Sequence, residues 1–396
     1  MAIAVSLPLL VLAGSLALIG WTYIGYPLLM ALMARGWARP VVTASWEPSV
    51  SVCLCVHNAM AWLPAKVADV LGHDYRGRLE LVVIDDGSTD GTGEWLRALA
   101  GDARVSVQSM DQRRGKSACL SDAVALARNE VLVFTDVRQH FEPGSISRLC
   151  EALWSGGYRV VGGALAFRSA EGYARSLDAY RRYEAWLRRN ESASGSVVGV
   201  SGALYALRRT DMPVPPQGLI LDDVWVPMMV ARQGGRVGLE PRAIAWDQPC
   251  ANPAQEARRK RRTLAGNWQL LALWPGLLLP WRNPLWLRFV SHKVLRLLVP
   301  FAMLATLVAN VVLLNAHPVM GVLLAGQAAG YVLALAGWAW PVLRRALPVR
   351  LASTFLEMNA YAALGLLDYL RARHSHLWSS SEAPASAPRA PLETRR

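Results

Sequence analysis

The chain has 396 residues, 53% of them hydrophobic, and carries 42 Lys+Arg against 29 Asp+Glu for a formal charge of +13. That length exceeds one ordinary domain and can bury a sizeable core. The basic excess fits a nucleic-acid binder or a membrane protein with basic cytoplasmic flanks, and the long apolar runs decide for the membrane. No Arg/Lys stretch interleaved with aromatics offers a base-stacking platform, so no nucleic acid is expected as partner. Cys53, Cys55, Cys119, Cys150 and Cys250 are odd in number and show no C-x-x-C spacing. Buried free thiols are expected rather than zinc or disulfides.

In chain order, Leu7 to Met33 has no charged residue and exceeds the roughly 20 apolar residues that cross a bilayer. Arg35 and Arg39 follow it, which predicts an uncleaved spanning helix with its N-terminus outside. From Pro48 the texture becomes α/β. "SVSVCLCVHN" reads as a buried strand. "RLELVVIDDGSTDGT" is a second strand that breaks at Gly87 into a helix start, with Ser88, Thr89 and Asp90 as candidate N-caps. "ARVSVQ" alternates like a shorter strand, "GKSACLSDAVALARNE" has helical spacing, and "VLVFTD" is another buried strand. Strands alternating with helices predict a mainly parallel, doubly wound sheet, whose ligands lie outside the carboxyl ends of the strands. His57, Asn58, Asp85, Asp86 and Asp136 fall at such ends.

Beyond Trp268 the chain turns apolar and Trp-rich, and residues 271–292 read as an interfacial segment. Leu295 to Asn315 and Val319 to Leu343 read as spanning helices joined by "AHP" outside, with "RRALPVR" on the cytoplasmic side. Leu351 to Leu370 is left open as a further span, since Glu357 and Asp368 are costly in lipid. The expected division is 1–45 (N-terminal helix and linker), 46–270 (catalytic domain), 271–292, 293–373 (two or three membrane helices) and a disordered 374–396 tail.

Several residues can carry chemistry. The pair Asp85 and Asp86 before Gly87 can accept a base N–H while the turn admits a ribose, or can form an Asx-turn that caps the next helix. Asp222 and Asp223 interrupt an apolar segment. Adjacent acids raise one another's pKa, which suits a general base, and acids also stabilise a helix N-terminus. Arg258 to Arg262 are consecutive basic residues that can pair with anionic lipid or neutralise a diphosphate, and Lys116 can serve a phosphate too.

The order of these elements carries more than any one of them. "VVIDDGSTDGT", "GK", "VFTD", "VSGALYALRR", "LDDVWVP" and "RRKRRT", set between membrane segments, resemble the membrane-bound family 2 glycosyltransferases. These are inverting enzymes of GT-A fold (an α/β, Rossmann-like, mainly parallel sheet) related to polysaccharide synthases. The resemblance covers roughly Pro48 to Asn267. It implies that Asp85 and Asp86 hold the nucleotide base and ribose, with His57 and Asn58 lining the pocket, and that Lys116 is the lysine of the "GK" element. Asp136 then matches the first acid of D-x-D, which binds the diphosphate through Mg²⁺ or Mn²⁺. Ser201 and Gly202 shape the acceptor pocket, and Asp223 is the base that deprotonates the acceptor hydroxyl, supported by Asp222. "RRKRRT" aligns with Q-x-x-R-W, placing Arg259 at the Gln and Arg262 at the Arg.

The sequence departs from that pattern in three ways. Arg138 replaces the second acid of D-x-D, which leaves the cation fewer protein ligands and puts a guanidinium where it can meet a phosphate or pair with Glu142. Thr263 stands where the Trp of Q-x-x-R-W is expected, which speaks against a polymer synthase. The membrane part is small for a polymer channel. What the resemblance implies is a hexosyl- or N-acetylhexosaminyl-transferase in the plasma (inner) membrane, multi-pass, its catalytic domain cytoplasmic. It would take a nucleotide-sugar, by family default a UDP-sugar, and a lipid-linked or surface-glycan acceptor, among membrane lipids. The alternatives are a processive exopolysaccharide synthase and a catalytically silent subunit of a glycan-assembly complex.

Overall fold

The computed structural model describes residues 2–37, 46–167, 178–248 and 252–371. The expected linker after the first helix, the expected disordered tail and Cys250 lie outside the described residues. The chain divides into two compact units. Among the described residues, one unit takes 46–167 and 199–248, and the other takes 2–37, 178–198 and 252–371.

The first unit is built on an eight-stranded sheet of order β3-β2-β1-β4-β7-β6-β8-β5. Its strands are β1 (Val50–Val56), β2 (Leu79–Asp85), β3 (Val105–Ser109), β4 (Val131–Thr135), β5 (His140–Phe141), β6 (Val160–Phe167), β7 (Leu204–Arg208) and β8 (Val237–Asp247). β1 to β4 pair in parallel, and every residue of the two central strands β1 and β4 is buried, so both their faces are covered, while the edge strand β3 is only partly buried. β6 and β8 are also parallel, whereas β7 runs antiparallel between β4 and β6, and the short β5 antiparallel on β8. The core joins both halves through Val52, Leu54, Leu81, Val83, Val133, Leu149, Leu204 and Ala206. Each fully buried Val or Leu among them contributes about 1.5–3 kcal/mol relative to exposure. Cys53, Cys55, Cys119 and Cys150 are buried free thiols, as expected.

Two departures from regular geometry matter for the site. Gly87 and Gly115 hold φ of +66° and +90°, in the left-handed region that favours glycine, and so end β2 and open the Lys116–Leu126 helix. A bulge between Gly163 and Ala164 shifts the register of β6 on β8. A Cβ on Gly163 would lie 2.6 Å from the Ala243 carbonyl oxygen, so no other residue fits there unchanged.

The second unit is helical. Three of its helices are long and apolar enough to cross a membrane by length and composition: Leu7–Gly36, Trp286–Val312 and Pro318–Ala339. The second begins at Trp286 rather than at the expected Leu295, because the charges in its first turns are matched internally. Arg288 donates to the carbonyls of Glu191, Ser194 and Ser196 at 2.7–2.9 Å, and His292 meets Glu191 and Glu184 at 2.7 and 3.2 Å. A polar group bonded in this way no longer resists burial. His292 lies in a π-helical turn, Val290–Val294, and Trp21 of a second such turn, Trp21–Gly25, donates its indole N–H to Ser291 at 3.0 Å. The Leu347–Arg371 helix, left open above, is not among the three candidate spans. Its acids are matched too, Asp368 by Arg261 and Glu357 by Arg344. Two stretches inside the expected 46–270 domain, the helices Asp178–Ala193 and Pro253–Leu273, cluster with this helical unit.

Candidate active site

The carboxyl ends of β1, β2 and β4 and the segment entering β7 converge in the sheet unit. The antiparallel register explains this convergence: Thr135 at the end of β4 faces Leu204 at the start of β7, which sets residues 201–203 beside Asp136. Thr135 donates its hydroxyl to the Ala203 carbonyl at 2.9 Å. The Val200 N–H donates to the Asp223 carbonyl at 2.8 Å, which ties the same segment to the first turn of the Asp222–Arg232 helix.

Lys116, first residue of its helix, stands at the centre. Its ammonium donates to Asp136 Oδ1 at 3.2 Å and lies 3.5 Å from Asp222 Oδ1. A Cβ on Gly202 would lie 3.4 Å from Lys116 Nζ and 3.8 Å from Asp223 Oδ2, so all five residues bound one small space. Burial alone pushes the Lys116 ammonium down, but the carboxylates of Asp136, Asp222 and Asp223 outweigh it and hold its pKa above the ordinary value. The acids differ in access. Asp222 is 6% exposed and Asp136 46% exposed, while Asp223 is half-buried. Of the adjacent pair, Asp223 is therefore the one a substrate hydroxyl can reach.

Asp85 and Asp86 are buried and engaged by the protein itself. Asp85 accepts from the Ser88 N–H at 3.1 Å and from its hydroxyl, a bond three residues on that lies ahead of the next helix and does not cap it. Asp86 accepts from the Arg114 and Gly115 N–H groups at 2.6 and 2.9 Å, which fixes the start of the Lys116 helix. His57 Nδ1 lies 2.8 Å from the Asp86 carbonyl oxygen. Asn58, at φ +50°, accepts from the Thr89 N–H at 2.8 Å. The expected caps at Ser88, Thr89 or Asp90 resolve differently: the N-cap of the Thr92–Ala98 helix is Gly91, and Asp90 accepts from the Thr92 N–H at 3.1 Å.

Arg138 does not pair with Glu142, which accepts instead from the Trp246 indole. It donates through Nη2 to Asp247 at the end of β8, at 3.3 Å, and Gln139 Nε2 donates to the same oxygen at 2.8 Å. Arg259 and Arg262 stand on the Pro253–Leu273 helix of the helical unit, Arg259 donating to Glu256 at 3.2 Å.

Sequence reasoning passed over Lys66. Its side chain is wholly buried, donating to the Gln139 carbonyl at 2.7 Å and to Asp69 at 3.3 Å, with Phe141 under the ammonium. Burial lowers its pKa to about 8 against the pull of Asp69. The signal was present: Leu63, Lys66, Val67 and Val70 share one buried stripe of the Leu63–Leu71 helix, so a lysine occupies a core position. Asp247 was passed over as well, because nothing near it in sequence marks it.

Among the described residues no three His, Cys, Asp or Glu side chains group as a metal site. Asp136, at the end of β4, has an accessible carboxylate, and Lys116 already shares it. That donor set fits only a hard cation that brings most of its oxygen ligands with it, as Mg²⁺ does with waters and phosphates.

Residues 51–211 match the family model for Glycosyl transferase family 2. They form a family 2 glycosyltransferase domain. The chain is 30% identical over 130 residues to the succinoglycan biosynthesis protein ExoU of Rhizobium meliloti (strain 1021), covering 33% of this chain and 36% of that protein. It is 34% identical over 122 residues to the undecaprenyl-phosphate 4-deoxy-4-formamido-L-arabinose transferase of Aeromonas hydrophila, covering 28% and 36%. The chain thus spans little more than a third of the length of these relatives. Among solved structures it resembles a mannosyltransferase from Pyrobaculum calidifontis, determined with GDP-Man and Mn²⁺. The TM-score is 0.67 at 22% identity, over 91% of this chain and 99% of that one. The glycosyltransferase domain therefore has the expected GT-A fold, in a chain with three candidate membrane spans among the described residues.

Proposed function

We propose that the chain is a membrane-bound inverting glycosyltransferase, which moves a sugar from a cytoplasmic nucleotide-sugar to a membrane-associated acceptor such as a lipid-linked saccharide. The observation that carries this reading is the meeting of Lys116, Asp136, Asp222 and Asp223 at the strand ends of a family 2 domain. Asp223 takes the proton of the acceptor hydroxyl. The hydroxyl oxygen bonds to the anomeric carbon as the bond from that carbon to the diphosphate oxygen breaks, from the opposite face, so the anomeric centre inverts. Lys116 holds Asp136 and Asp222 in register and leaves Asp223 to act as base. Asp136 would hold a Mg²⁺ or Mn²⁺, which when bound offsets charge on the diphosphate. His57, Asn58, Asp85 and Asp86 border the base and ribose, and Ser201 and Gly202 the acceptor.

The printed names of the relatives support the class of reaction. One acts in succinoglycan biosynthesis and one on undecaprenyl phosphate, a lipid carrier. Thr263 in place of the expected Trp, together with three candidate spans among the described residues, favours transfer of one or few sugars over processive synthesis. The basic residues flanking the spans favour a plasma-membrane enzyme with its domain in the cytoplasm.

The test is nucleoside diphosphate release by detergent-purified protein, with UDP- and GDP-sugars screened against membrane lipid extract. Release with one donor, dependent on the lipid fraction, is the expected result. Donor binding without release under any acceptor condition would favour the silent-subunit alternative and contradict this reading.

A further inference from the structure

Arg138 stands two residues beyond Asp136, where a carboxylate would otherwise complete a cation site, and its placement in the fold is specific. Asp247, the last residue of β8, is 2% exposed in its side chain. One of its oxygens receives Gln139 Nε2 at 2.8 Å and Arg138 Nη2 at 3.3 Å, and the other receives the Gln248 N–H at 2.8 Å. From beneath, the buried Lys66 ammonium holds the Gln139 carbonyl at 2.7 Å, and the Phe141 N–H donates to Asp69 at 3.1 Å. The Asp136–Phe141 segment is therefore fastened by side chains from β8 and from the Leu63–Leu71 helix. A guanidinium anchored through Nη2 to a buried acid keeps its plane oriented and its other N–H donors available to a ligand, and Arg138 is a quarter exposed.

Electrostatics gives those donors a use. Asp136, Asp222 and Asp223 surround Lys116, and only the buried Lys66 ammonium adds a second positive charge felt by Asp136, so three carboxylates face two ammoniums and this space still disfavours a diphosphate. One carboxylate cannot bind a divalent cation tightly enough to reverse the sign before the nucleotide arrives. A further fixed positive charge is needed on the phosphate side. We infer that Arg138, positioned by Asp247, is a diphosphate ligand of this enzyme, and that the divalent cation enters together with the nucleotide rather than ahead of it. The inference rests on the glycosyltransferase reading above and adds the means of diphosphate recognition. Arg138 touches the donor; Asp247 acts through Arg138 and is a positioning residue.

The experiment uses full-length protein in detergent, with UDP and GDP as probes and the corresponding nucleosides as controls. Binding is followed by calorimetry, and Mn²⁺ by electron paramagnetic resonance. Parent protein is expected to take up Mn²⁺ at least tenfold more tightly with nucleoside diphosphate present than without. Arg138→Ala should weaken diphosphate binding at least tenfold at saturating Mn²⁺ and leave nucleoside binding unchanged. Asp247→Asn, which keeps one acceptor oxygen, should narrow the preference for diphosphate over nucleoside by about threefold or more, a ratio that a general loss of packing would not move. Arg138→Asp, which recreates an acid pair, should bind free Mn²⁺ at least tenfold more tightly than the parent. If Arg138→Ala binds diphosphate like the parent, or the parent already holds Mn²⁺ tightly alone, the inference is overturned and the glycosyltransferase reading stands. If neither diphosphate binds the parent under any condition, both fall.

Discussion

Asp86→Ala separates a structural duty from a ligand-binding one. The carboxylate is fully buried and accepts the Arg114 and Gly115 N–H groups at 2.6 and 2.9 Å. Hydrogen bonds to a charged acceptor contribute roughly 1.5–3 kcal/mol each, so losing both costs about 3–6 kcal/mol. That is a large share of the roughly 5–15 kcal/mol that holds an ordinary domain together. Asp86→Asn should not rescue the loss fully, because its amide NH₂ would face one of two backbone donors. The assay is thermal unfolding of detergent-solubilised full-length protein without nucleotide, followed by tryptophan fluorescence. Parent, Asp86→Asn and Asp86→Ala should unfold in falling order of temperature. An Asp86→Ala variant as stable as the parent would refute the reasoning, since the start of the Lys116 helix would then not depend on Asp86.

Lys66 gives a pH dependence. Unfolded, its ammonium titrates near its ordinary 10.5, whereas in the fold burial lowers it to about 8. Between those values the unfolded chain binds the extra proton, so stability rises with pH by up to about 1.4 kcal/mol per unit. Lys66→Met lacks the effect, so the parent's unfolding temperature minus the variant's should increase from pH 7 to pH 10; a value that stays constant or falls would contradict it. Gly163→Ala should destabilise by about 1–3 kcal/mol through overpacking against the Ala243 carbonyl, 2.6 Å from the added Cβ. An unchanged unfolding temperature would show that the bulge relaxes. Arg288→Ala strands the carbonyls of Glu191, Ser194 and Ser196 inside the helical unit. It should lower the yield of folded, monodisperse protein, and wild-type behaviour on size exclusion would count against the account of why that helix starts at Trp286.

The strands of the domain were legible because β1, β2 and β4 are nearly continuous apolar runs, and the polar residues inside them, Ser51 and Glu80, are bonded to one another, as burial on both faces requires. Their ends were legible for the same reason, since Asp86 and Asp136 stand where the apolar run stops. The reversal at β7 was not, because periodicity reports which face is buried and not strand direction. It is this reversal that sets Gly202 beside Lys116. Asp247 escaped because its partner Arg138 is remote in sequence, whereas the burial of Lys66 was marked by its place on an apolar helical stripe and only its partner, Gln139, was not. The start at Trp286 escaped similarly: Arg288 and His292 look prohibitive in an apolar helix until Glu191, from a distant segment, is seen to meet them.

The central claim is that Asp223 removes the acceptor proton beside a donor positioned by the Lys116 cluster. It is tested most directly by Asp223→Asn, with nucleoside diphosphate affinity and the rate of sugar transfer measured on the same preparation. The account predicts a rate lowered by at least a hundredfold with diphosphate affinity within about threefold of the parent, as loss of a general base requires. Transfer at the parental rate would remove Asp223 from the chemistry and contradict the account.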